Sequence, residues 1–151
     1  LVLAINTETF RQWTRHLQER LSTAGADRIQ ALVEGYFSFA RQNRNLWTAI
    51  YDHRLPPGMP IPEEFLPDRS KLTNIVIDEV ASALPSSRRE QAPRLARSLI
   101  ATVHGHCTFA LDGTFELMGV AEPEELALAR VKESLTVAAT GDSDLIPRTV
   151  A

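Results

Sequence analysis

The stretch LARSLIATVHGHCTFALDG, residues 95–113, decides how the chain reads. Leu95, Leu99, Val103, His106 and Ala110 recur at helical spacing, and so do Ala96, Ile100, His104, Cys107 and Leu111. The two sets lie on different faces of one helix. A helix apolar on two faces has to be covered on both, so it is either central or shared with another subunit. Ser87 followed by Glu90 forms a capping-box pattern that starts this helix, the longest of the chain, over about residues 88–112. Pro93 is expected to kink it, and Gly113 to stop it.

Working outward, the same periodicity covers most of the sequence, and no segment alternates as a strand does. Leu3, Phe10, Trp13, Leu17 and Leu21 mark a first helix that stops near Gly25. Asp27 caps a second, with the stripe Ile29, Leu32, Val33, Tyr36, Phe37 and Ala40, closed by the polar run Arg41 to Arg44. Asn45 reads as the cap of a short helix carrying Leu46, Trp47, Ile50 and Tyr51. RLPPGMPIPEEFLP, residues 54–67, is expected to be a loop, because proline removes helical donors. Asp68 or Ser70 opens the next helix, with Leu72, Ile75, Val76, Val80 and Leu84 before Pro85. TFELMG reads as a bridge, and Pro123 opens the last helix, with the stripe Leu128, Val131 and Leu135. The expectation is therefore an all-α fold of about six helices: a domain over residues 1–139 and a frayed, flexible tail over 140–151. Leu126 and Ala129 lie off the stripe of the last helix. With the two-faced long helix, they leave apolar surface that suits a helical-bundle dimer.

Composition excludes several classes. The chain has 151 residues, 44% of them apolar, and 16 basic against 19 acidic side chains give a net charge of −3. That balance has no global attraction for phosphate, so a basic nucleic-acid coat is ruled out. No run of apolar residues is long enough for a membrane span. The single Cys107 excludes an intrachain disulfide and a cysteine-rich zinc module.

His104, His106 and Cys107 are the residues that invite a chemical reading. On a helix His104 and His106 point roughly 200° apart and cannot share an ion. His104 with Cys107 supplies two ligands where zinc needs three or four. No third group orients a cysteine–histidine pair, so neither an enzyme nor a cofactor is expected. Part-buried imidazoles and a small buried thiol are the plainer reading, and a histidine facing a cavity still contacts a ligand. The aromatics Trp13, Tyr36, Phe37, Phe39, Trp47 and Tyr51 are either ordinary core or the wall of an apolar pocket, with tyrosine and tryptophan tips to orient a ligand.

FSFARQNRNLWTAIYDHRLP, residues 37–56, and LARSLIATVHGHCTFALDGTFELMG, residues 95–119, resemble the C-terminal domain of TetR-family transcription regulators. The His104-Gly105 pair followed by Leu111-x-Gly113 resembles the subgroup named for a Trp, His and Gly signature, although Ile100 stands where that tryptophan falls. The resemblance implies an effector-binding domain whose last two helices pair with their copies in a four-helix bundle, hence a homodimer. It implies a pocket for a small apolar or amphipathic effector near Phe37, Trp47, Tyr51, Leu72, Ile75, Val76, Val103, His104 and Cys107. It implies a cytoplasmic repressor that reaches DNA through a helix-turn-helix part upstream, which this chain, starting in mid-pattern at Leu1, is not expected to contain. The alternative is a helical adaptor that binds a protein partner and has no pocket.

Overall fold

The computed structural model describes residues 1–141. Among them there is no strand; seven α-helices and two 3-10 turns follow one another along the chain. The helices are α1 (Val2–Ser22), α2 (Arg28–Gln42), α3 (Arg44–Asp52), α4 (Leu66–Ala83), α5 (Ala92–Leu111), α6 (Thr114–Leu117) and α7 (Pro123–Thr140). The chain divides inside α4 into two compact units, residues 1–76 and residues 77 onward.

In the first unit α1 packs against α2, and α3 packs on both. The α1 stripe is buried as its spacing predicts from Phe10 and Trp13 through Leu17 to Leu21, while Leu3 at its start is half-buried. The covered face is wider than that stripe, however, because Asn6, Thr7, Thr9 and Thr14 are buried too. Asp27 caps α2 as expected: its carboxylate accepts from the Gln30 backbone N–H at 2.9 Å. At Gly35 an added Cβ would stand 2.8 Å from Leu17 Cδ2, so the missing side chain lets α2 come close to α1. The short helix starts earlier than Asn45; Asn43 is its cap residue, with both its backbone and its side-chain nitrogens donating to the Phe39 carbonyl.

α4 also opens earlier than Asp68 or Ser70. It begins at Leu66 after a 3-10 turn at Glu63–Phe65, so the proline-rich loop is shorter than expected. Pro67 falls in the first turn, where a missing N–H costs nothing. Pro85 ends the helix region as predicted, one residue after Leu84.

In the second unit α5 packs along α7, and α6 packs on α5. The expected start of the long helix is wrong. Ser86–Gln91, containing the Ser87–Glu90 pair, is a 3-10 turn, and Pro93 lies in the first turn of α5. Proline there needs no lost hydrogen bond, so it begins the helix instead of kinking it. At 20 residues α5 is one shorter than α1, so it is not the longest helix. Its buried stripe is Ala92, Ala96, Leu99, Val103 and Cys107, and α7 of the same unit buries Ala127, Val131, Leu135 and Ala138. The TFELMG bridge contains one helical turn, which accounts for the seventh helix. Gly113 does stop α5, at φ 82°, and Gly141 follows α7 at φ 77°. Pro123 opens α7 after Glu122, which adopts φ 56° at a cost of about 1–2 kcal/mol for a residue with a Cβ. Most of the expected tail, residues 142–151, lies outside the described residues.

Candidate functional site

The first unit carries a connected set of aromatic side chains. Trp13 on α1 meets Tyr36 on α2 edge-on, with ring centroids 4.8 Å apart and planes at 66°. Tyr36 meets Trp47 on α3 at 6.3 Å and 87°, and Trp47 meets Tyr51 at 5.6 Å and 63°. Edge-to-face pairs set the positive rim of one ring against the negative face of another, which fixes their orientation. The circuit closes through oxygen, since the Tyr36 and Tyr51 hydroxyls lie 2.9 Å apart and share a hydrogen bond. Helical spacing produces this: Trp47 and Tyr51 are one turn apart on α3, so both reach Tyr36. On its other side Trp13 stacks on Phe39, at 5.2 Å and 4°.

Of the residues expected to line a pocket, Trp47 and Tyr51 are thus brought together. Phe37 is fully buried about 100° round α2 from Tyr36, with the Arg41 guanidinium 5.3 Å from its centroid. Leu72 is buried on α4, while Ile75 and Val76 are half-buried. In the second unit Val103 and Cys107 belong to the buried stripe of α5. His104 is half-buried on the flank of that stripe, its Nε2 3.4 Å from the Thr108 hydroxyl. His106 Nδ1 donates to the Thr102 carbonyl at 2.8 Å, which assigns the proton to that nitrogen because a carbonyl only accepts. Among the described residues, no three His, Cys, Asp or Glu side chains gather as metal ligands.

Two histidines lose basicity on folding. Burial pulls His16 below the ordinary imidazole value, and Arg20 adds to this while Glu19 opposes it. His16 Nε2 also lies 2.6 Å from the Ser38 hydroxyl. Burial alone lowers His104. A histidine with a depressed folded pKa contributes stability that is complete above the unfolded value, about 6.5, and is lost as pH falls through the folded one. The urea midpoint is therefore expected to drop between about pH 7.5 and pH 5.5. A His16→Gln, His104→Gln double variant should show a flatter profile; an equal drop in both proteins would assign the effect to other groups.

Sequence reasoning passed over Asn6, Thr14 and Arg69. A search for apolar periodicity discards polar residues on a buried face, and Arg69 declares itself only through its position above the Phe10 ring, 4.9 Å from the centroid.

Residues 29–133 match the family model described as tetracyclin repressor-like, C-terminal domain. The chain belongs to the tetracyclin repressor-like C-terminal domain family. This TetR-like domain is similar in fold to a protein with unknown function from Rhodococcus sp. RHA1, with 23% identity and a TM-score of 0.74. The likeness covers 91% of this chain and 71% of that one. No curated protein matches the sequence. Membership places the TetR-like domain among regulators, not enzymes. None of its described helices is long and apolar enough to cross a membrane.

Proposed function

We propose that residues 1–139 are the effector-binding and dimerisation domain of a TetR-like transcriptional repressor. The observation that carries this reading is the family match over residues 29–133, in a chain whose first unit holds a ring of aromatic side chains with polar tips. A small apolar or amphipathic effector binds one state of a cytoplasmic homodimer better than another. It shifts the equilibrium only by that difference in affinity. DNA is reached through a helix-turn-helix part N-terminal to α1, and α1 transmits the change. In the first unit Phe37, Trp47, Tyr51, Leu72, Ile75 and Val76 are the proposed ligand contacts; in the second, Val103, His104 and Cys107.

Exposed apolar side chains support the dimer. Phe109 on α5, Leu117 at the end of α6 and Met118 just beyond it are 41%, 90% and 61% exposed. Phe109 and Phe115 meet edge-on at 5.4 Å, so the patch has an ordered base. Clustered apolar surface of this kind marks interaction sites.

The neutral apolar fluorophore N-phenyl-1-naphthylamine tests the pocket. Its emission should rise saturably on titration into the dimer, and Tyr51→Ala with Trp47→Ala should weaken binding about tenfold or more. A linear, unsaturable response from a monomer would leave the helical adaptor as the better reading.

A further inference from the structure

α5 presents a second stripe to solvent. Arg94, Ser98, Ala101, Gly105, Phe109 and the C-cap residue Asp112 are all exposed, and they recur at spacings of four, three, four, four and three. The buried stripe, from Ala92 to Cys107, has the same rhythm two residues earlier, about 200° round the helix. The outer stripe therefore lies opposite the one that the second unit covers.

The middle of this stripe is small and its ends are charged. An added Cβ at Gly105 would meet nothing within 4 Å, so there is room beside the helix for another backbone. Arg94, at one end, makes no ion pair among the described residues. Asp112, at the other, accepts from the Thr114 backbone N–H at 2.9 Å through one oxygen, and a carboxylate takes several donors. The polarity extends along the chain. Arg88, Arg89 and Arg97 flank Arg94 with only Glu90 among them, whereas residues 98–129 hold no Lys or Arg but include Asp112, Glu116, Glu122, Glu124 and Glu125.

A stripe with opposite charges at its two ends complements an inverted copy of itself. Arg94 and Asp112 lie nine residues either side of position 103, and Ala101 and Gly105 two either side. Two α5 helices set face to face about a two-fold axis at that level run antiparallel. Arg94 of each then meets Asp112 of the other. Ala101 meets Gly105, where small side chains permit a close crossing. Phe109, 41% exposed, falls beside Ser98 of the second copy, a residue small enough to receive its ring. A parallel pairing would set arginine on arginine and acid on acid, which repels.

We propose that two copies of this chain pair antiparallel along the outer stripe of α5, in a register centred on position 103, with Arg94 of each on Asp112 of the other and Ala101 against Gly105 at the crossing. This pairing rests on the homodimer proposed above and fixes its face, direction and register.

Sedimentation equilibrium of the full chain at low salt tests it. Arg94→Glu should raise the dimer Kd at least tenfold, because it turns attraction into repulsion twice in each dimer. Adding Asp112→Arg to that variant should recover most of the loss. Gly105→Gln should also raise the Kd at least tenfold by blocking the crossing. Its melting temperature, compared with the parent where both are monomeric, should stay level or rise, since glutamine is the better helix former and has room in the single chain. An unchanged Kd in either Arg94→Glu or Gly105→Gln overturns the pairing and leaves the dimer on another face. A charge swap no tighter than Arg94→Glu alone overturns the register. A parent that is monomeric at micromolar concentration overturns the homodimer and the pairing together.

Discussion

Trp13→Ala is expected to remove about 3–5 kcal/mol of stability, the range for truncating a large buried aromatic residue. Trp13 is 1% exposed, stacked on Phe39 at 5.2 Å and edge-on to Tyr36 at 4.8 Å. Each aromatic pair adds roughly 0.5–1.5 kcal/mol beyond burial. A domain of this kind has about 5–15 kcal/mol in total, so the variant should be close to unfolding at room temperature. Urea denaturation followed by circular dichroism measures it. Trp13→Phe, which keeps a ring in place, should lose much less. An unchanged midpoint for Trp13→Ala would mean that this ring is not the centre of the first unit's core.

The second large effect concerns assembly. The proposed homodimer should sediment at twice the 16.8 kDa chain mass at micromolar concentration. Leu117→Asp with Met118→Asp should convert it to monomer. Full burial of each side chain contributes about 1.5–3 kcal/mol, so losing both weakens association by at least a hundredfold, on the order of 3 kcal/mol. These residues are exposed in the single chain, so the substitutions should leave its melting curve nearly intact once monomer is compared with monomer. A double variant that sediments like the parent would place the interface on another surface.

Both predictions show where the sequence was legible. Trp13 lies on a stripe with Phe10, Leu17 and Leu21 that can be read residue by residue, and all four are buried. Leu117 and Met118 are different, because the TFELMG segment carries no periodicity and its single helical turn depends on packing against α5. Signals that failed did so for one reason. Ser87–Glu90 is a local capping pattern, but the α-helix starts where Ala92 can be buried on α5's stripe. Likewise Asp68 and Ser70 are good caps that went unused, since α4 starts at Leu66.

The sequence by itself determined the all-α class, the order of the helices, the Asp27 cap, the stops at Pro85 and Gly113, and the family. These follow from short-range rules: the helical repeat, the fixed φ of proline and the freedom of glycine at positive φ. Only the tertiary structure decided which polar residues are covered. Asn6, Thr14 and Arg69 read as surface in a sequence, because exposure is the default for their types. The burial of Asn6, Thr14 and the Arg69 Nε depends on α1 meeting chain from other helices, with Arg69 arriving above Phe10 from 59 positions away. The charge of −3 and the single cysteine bounded what the chain could not be; the buried polar face around Phe10 arose from packing alone.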